Sequence, residues 1–357
     1  MSHARNRTAR RTARRTERRA GRARRATATR LTAGQPARRH AGSRGRVRPP
    51  GRAAHRRALR REAPVVVGLL LDDQDFAAMT GYRTFPHDDY GRYLRQIDHL
   101  LRSLHAQGTH VAVTLFDPEG YADYCQSTRQ PPDTPATRTR YVAEATTAGP
   151  AVRYARQPLA AVRGDLAREA DRRATWEQAT DLLVDAGPCP DCGQDLAHCA
   201  FDRASHTLLR LIEAVGPGSH HVVCSLPTDG GSSLLAAVQV DAPPPEGHEP
   251  RARPGEPGDL SFSEADALVV CTVMAAGAAT SRPGGLVVRT VTGQGADRAE
   301  TVRGWTLRGG EPYPLSEAEV FNAYCTDAVT GEPVPPEPGV RYAAGLPLPP
   351  PLPGDTR

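Results

Sequence analysis

The chain has 357 residues, 24% of them charged and 39% hydrophobic, enough to bury one large core or two modest ones. Its formal net charge of +6 hides two opposed parts: residues 1–61 hold 22 arginines against one acid, Glu17, a formal +21, and the remainder holds 24 arginines against 39 acids, a formal −15. The longest apolar run near the front, residues 63–71, is too short to cross a membrane, so neither a membrane partner nor secretion is expected, and a cytoplasmic location follows. No lysine occurs, which together with abundant Ala, Gly and Pro reads as GC-biased coding; a preference for arginine over lysine therefore carries no argument.

The first segment contains "TARRTARRTERRAGRARR", a low-complexity stretch with almost no apolar content to offset the entropy of ordering, and residues 1–61 are expected to be a disordered tail. Its charge would hold nucleic acid non-specifically by counterion release, without base stacking, because no aromatic residue interrupts it. Two other readings stay open: an in-frame extension ahead of the true start, and a tail that folds back on the acidic body.

From residue 62 the texture changes. Val65 to Leu71 is an unbroken apolar run, read as a strand buried on both faces. After a loop through "TGYRTFPHDD", Tyr93, Ile97, Leu100, Leu101 and Leu104 recur at helical spacing, with Gly108 as a stop, and "THVAVTLFD" forms a second strand. Residues 62–126 thus read as a strand-helix-strand unit with a parallel pair. Residues 127–150, rich in Pro, Thr and Arg, read as a linker or long loop.

Residues 151–345 read as a mixed region of helices and hairpins. A long helix ends at Gly187-Pro188, a cysteine cluster follows, and then comes "ASHTLLRLIEAVG", a shorter helix. "HHVVCSLP" and "SSLLAAVQV" form a hairpin across "TDGG", and "GGLVVRTVTG" and "ETVRGWTLRGG" form another, so a helix-hairpin element occurs twice. Between them Ser263 and Asp266 stand at capping-box spacing ahead of a helix that is apolar on nearly all sides. Ser316 and Glu319 open a last short helix, and the proline-rich residues 346–357 read as an extended tail. The fold class expected is α/β or α+β.

Two groups carry candidate chemistry. "CPDCGQDLAHC", residues 189–199, supplies Cys189 and Cys192 as a C-x2-C pair followed by glycine, an arrangement in which two thiolates on a tight turn share one ion. Cys199 and His206 complete the expected ligand set for a structural zinc knuckle, with His198 as the nearest substitute. The "CPDC" turn also resembles the active turn of glutaredoxin-like proteins, but a helix rather than a strand leads into it, which disfavours redox work. Reduced thiols in a loop are the plain alternative.

The second group is acidic. Asp72, Asp73 and Asp75 follow the first strand and Asp117 follows the second, where the carboxyl ends of parallel strands gather ligands. Carboxylates there would hold Mg²⁺ or Mn²⁺ for phosphoryl chemistry. An apolar strand ending in aspartate resembles the front of PIN-like nuclease domains, which implies a metal-dependent hydrolase or nuclease; the match covers that strand and its aspartates and no later acidic position. The competing explanation is that aspartates cap helices. The leading functional reading is a zinc-stabilised binding or regulatory protein associated with nucleic acid.

Overall fold

The computed structural model describes residues 65–184, 186–190, 192–229, 232–244, 260–327 and 330–348. The arginine-rich segment 1–61 and residues 349–357 of the proline-rich end lie outside the described residues. The fold is mixed α/β, with eight helices and two mixed sheets among the described residues and no closed barrel. The chain divides into two compact units that meet in sequence at Asp171 and Arg172.

The unit that ends at Asp171 is built on a three-stranded sheet ordered β1-β2-β3. β1 (Val65–Leu69) pairs parallel with β2 (Val111–Leu115), Val65 opposite Val111, and β3 (Ala151–Tyr154) runs antiparallel to β2. A parallel pair needs a crossover, and here it contains two helices, α1 (Asp73–Thr80) and α2 (Tyr90–Ala106). The apolar face of α2 turns Tyr93 and Leu101 inward, while Leu100 at 42% exposure lies outside the stripe its spacing suggested. Phe76, Met79, Tyr93 and Leu101 join Val67, Leu69, Val111 and Val113 in one core.

Residues 127–150, expected as a linker, contain a helix, α4 (Pro135–Ala148), after α3 (Pro118–Thr128). Of the prolines that suggested a loop, Pro131 and Pro132 do stand between the two helices, whereas Pro135 opens α4 in its first turn, where the missing N–H costs nothing. Thr134 caps α4 through the Thr137 amide at 3.1 Å. α5 (Leu159–Val184) begins in this unit, where Val162 and Leu166 are fully buried, and runs on into the next.

In the second unit, a seven-stranded sheet follows the order β10-β8-β7-β4-β5-β6, with β9 (Glu311–Pro314) also paired to β8. The two expected hairpins form: β4 (Gly218–Pro227) with β5 (Ser233–Ala242), and β7 (Gly284–Thr292) with β8 (Ala299–Arg308). β5 alternates without a break between exposed and buried residues, so Leu234, Ala236, Val238, Val240 and Ala242 form one apolar face. That face joins the core shared by α6 (Leu196–Val215) and α7 (Glu264–Ala279). Every residue of α7 from Val269 to Gly277 is buried, as its uniform hydrophobicity required. Its N-terminus is capped by Ser263, whose hydroxyl accepts from the Asp266 amide at 3.3 Å. β6 (Ser261–Phe262) and β10 (Val340–Ala343) complete the edges, and α8 (Glu317–Tyr324) sets Val320 against Val302 and Tyr342 in a small separate cluster.

A hydrogen-bonded polar pair, His220 and Thr290, is buried inside this sheet. His220 on β4 is fully buried, with Nδ1 3.0 Å from the Thr290 hydroxyl and Nε2 2.9 Å from the Gly216 carbonyl. A carbonyl only accepts, so Nε2 carries the proton and Nδ1 accepts from Thr290. Burial lowers the His220 pKa against the opposing pull of the Gly216 carbonyl and Asp241. The unfolded chain therefore takes up the proton first as the pH falls below the ordinary histidine value of about 6.5. Stability contributed by the neutral ring is complete above that pH and is lost as the pH falls toward the lowered native value. Urea midpoints measured from pH 8 to pH 5 should fall, and His220→Gln should flatten that trend while costing about 1–3 kcal/mol at pH 8.

Candidate metal centre

The cysteine site is assembled by the turn between α5 and α6. Gly187 and Gly193 adopt φ of +72° and +73°, backbone that L residues with a Cβ rarely take, and they bracket the turn. Pro188 and Asp195 pair across the turn as an isolated antiparallel bridge. The Cys189 amide donates to the Gln194 carbonyl at 2.6 Å and the Gly193 amide to the Cys189 carbonyl at 2.8 Å, which closes the loop on itself. Asp195 then starts α6, its carboxylate accepting from the Ala197 amide at 2.8 Å, so Cys199 projects from the first turn of a firmly begun helix.

These constraints bring three sulfurs together. The Sγ atoms of Cys189, Cys192 and Cys199 all lie within 4.8 Å of one another, and Cys192 and Cys199 are 3.3 Å apart. Two sulfurs bound to one tetrahedral zinc at about 2.3 Å are separated by about 3.8 Å, so this triangle has the size of one face of such a site. Cys189 is buried, Cys199 intermediate and Cys192 exposed, so the face is anchored on the core side and open to solvent on the other. The Cys199 thiol is pushed up to about 12, first by its hydrogen bond with Cys192, then by burial and by Cys189. Ionising Cys199 gives up that hydrogen bond and sets a negative charge beside its sulfur neighbours, and a bound dication reverses that balance. The three cysteines are therefore able to hold a metal ion together.

His206, expected as the fourth ligand, is not part of this group. It lies seven residues beyond Cys199 on α6, about 10 Å of helix rise. His198, the alternative, is exposed and pairs with Asp202 at 3.4 Å.

The acidic residues serve local structure. Asp72 caps α1, accepting from the Asp75 amide at 2.8 Å; Asp73 and Asp75 sit in its first turn; and Asp117 caps α3, accepting from the Glu119 amide at 3.0 Å. Among the described residues these carboxylates are not gathered into a three-ligand set. "DDQDF" looks like a strand end decorated with ligands, but Asp72 followed three residues later by Asp75 is also a capping pattern, and helix capping, the competing explanation, is what the structure shows. The other four cysteines, Cys125, Cys224, Cys271 and Cys325, are buried. Burial pushes the Cys224 thiol up to about 12, with Cys271 adding to the shift, and this marks core packing and not reactivity.

Residues 54–157 match a family described as a domain of unknown function, DUF8829. The match covers most of the unit that ends at Asp171 and stops before the cysteine site. No curated protein and no solved structure matches the chain. Among the described residues no helix is long and apolar enough to cross a membrane.

Proposed function

We propose that Cys189, Cys192 and Cys199 bind a structural zinc ion that ties the end of α5 to the start of α6, and that the protein is a zinc-stabilised binding or regulatory protein. The observation that carries this reading is the convergence of three thiols on one triangle at a turn whose backbone is hydrogen-bonded shut. Thiolates favour zinc over hard cations such as Mg²⁺, and a three-cysteine face with one further donor matches common structural zinc sites. Elemental analysis of the full-length protein, purified without chelator, tests it. One zinc per chain is expected, with little retained in Cys189→Ser; protein that holds no zinc even after reconstitution under reducing conditions would refute it.

The same reading assigns the arginine-rich segment 1–61 to non-specific contact with nucleic acid, supported by its sequence charge of +21. Binding to duplex DNA should weaken steeply between 50 and 200 mM salt, by about 10³-fold or more if six or more phosphates are neutralised. It should vanish when residues 1–61 are removed. Binding that survives the truncation, or that is insensitive to salt, would reject the assignment.

A further inference from the structure

Seven cysteines differ sharply in access. Five are buried, Cys192 is exposed and Cys199 is intermediate, so a small oxidant in solvent meets Cys192 first. The sequence motif suggests Cys189 as its partner, since a C-x2-C pair commonly forms the redox couple. The structure points elsewhere. Cys189 is 4% exposed, and its amide and carbonyl are both held within the turn. Cys199 Sγ stands 3.3 Å from Cys192 Sγ, only about 1.3 Å more than a disulfide bond, and its position on the first helical turn leaves its side chain free of that constraint.

We infer that Cys192 and Cys199, and not the C-x2-C pair, form a peroxide-sensitive disulfide couple whose closure ejects the metal. Cys192 sulfur attacks the O–O bond of hydrogen peroxide, gaining one oxygen as a sulfenic acid while the other oxygen leaves as hydroxide and is protonated to water. Cys199 sulfur then displaces the sulfenic hydroxyl, forming the S–S bond and releasing a second water. Two thiols give up two electrons, and one peroxide becomes two waters. With two of its three sulfur ligands consumed, the ion keeps only Cys189 and departs. The release step rests on the zinc reading above; the choice of sulfur pair does not.

The test uses full-length, zinc-loaded protein treated with hydrogen peroxide, with released zinc followed by a chromogenic chelator and cysteine pairing mapped by peptide mass spectrometry. The expected result is loss of the bound zinc together with a Cys192–Cys199 disulfide, both reversed by dithiothreitol and zinc. In Cys192→Ser, which lacks the exposed thiol, peroxide should form no disulfide between the remaining site cysteines, Cys189 and Cys199. In Cys199→Ser the sulfenic acid should persist at Cys192, where a dimedone adduct traps it. A disulfide between Cys189 and Cys192, or zinc release with no disulfide, overturns the inference. If the protein binds no zinc yet peroxide still joins Cys192 to Cys199, the zinc reading fails and the disulfide couple stands.

Discussion

If the site holds zinc as proposed, stripping it is expected to lower the melting temperature of the unit that begins at Arg172 by about 10 °C. A ligand present at a thousandfold excess over its dissociation constant stabilises the native state by about 4 kcal/mol, and a unit of this size moves by about 2–4 °C per kcal/mol. The effect should be local. The turn that carries Cys189 and Cys192 joins α5, whose Ala179 and Leu183 lie in the core, to α6, whose Leu208, Leu211 and Ile212 lie in the same core. Releasing the turn therefore loosens two core helices. The core containing Leu69, Tyr93 and Leu101 belongs to the other unit, so a second calorimetric transition should be unchanged by chelator. Cys189→Ser should reproduce the chelator effect without chelator, because the buried anchor is lost, whereas Cys192→Ser, at the exposed corner, should produce a smaller shift.

Trp305→Ala should cost about 3–5 kcal/mol, the range for removing a fully buried large aromatic side chain. Trp305 on β8 is 1% exposed and packs in the core beneath α7. Its indole Nε1 donates to the Leu346 carbonyl at 2.8 Å. Leu346 and Leu348 pack against the same core, so the start of the proline-rich end is part of the fold and not wholly a tail. Trp305→Phe keeps most of the apolar contact and leaves the Leu346 carbonyl without this donor, so it should cost less, about 1–2 kcal/mol. Chemical denaturation of both variants separates the packing contribution from the hydrogen bond. Equal losses for Ala and Phe would mean that the indole hydrogen bond, and not the ring volume, holds this end of the chain.

The elements that could be read from sequence were those whose periodicity was strong and whose ends carried their own signals. α7 could be placed because nine consecutive buried residues follow a serine cap, and the β4–β5 hairpin because strict alternation flanks turn residues. α1 escaped because it is only eight residues long and opens on aspartates, and α4 because its burial is slight and most of its side chains are polar; the capping contacts of Asp72 and Thr134 mark their starts, and caps look like ligands or loops when read in isolation. Of the candidate metal ligands, Cys189, Cys192 and Cys199 meet because one closed turn and one helix start fix all three. His206 was included by counting residues, but helix rise carries it away from Cys199. Sequence spacing identifies ligands that share a turn far better than ligands separated by a helix, where direction and not distance along the chain decides.

Cobalt substitution reads directly whether the three thiolates bind one ion. Co²⁺ added to reduced full-length protein should produce thiolate-to-metal charge-transfer absorption that saturates at one equivalent, is lost on adding zinc, is nearly abolished in Cys189→Ser and falls by about a third in each of Cys192→Ser and Cys199→Ser. Absence of charge-transfer absorption, or a spectrum unchanged by all three substitutions, would contradict it.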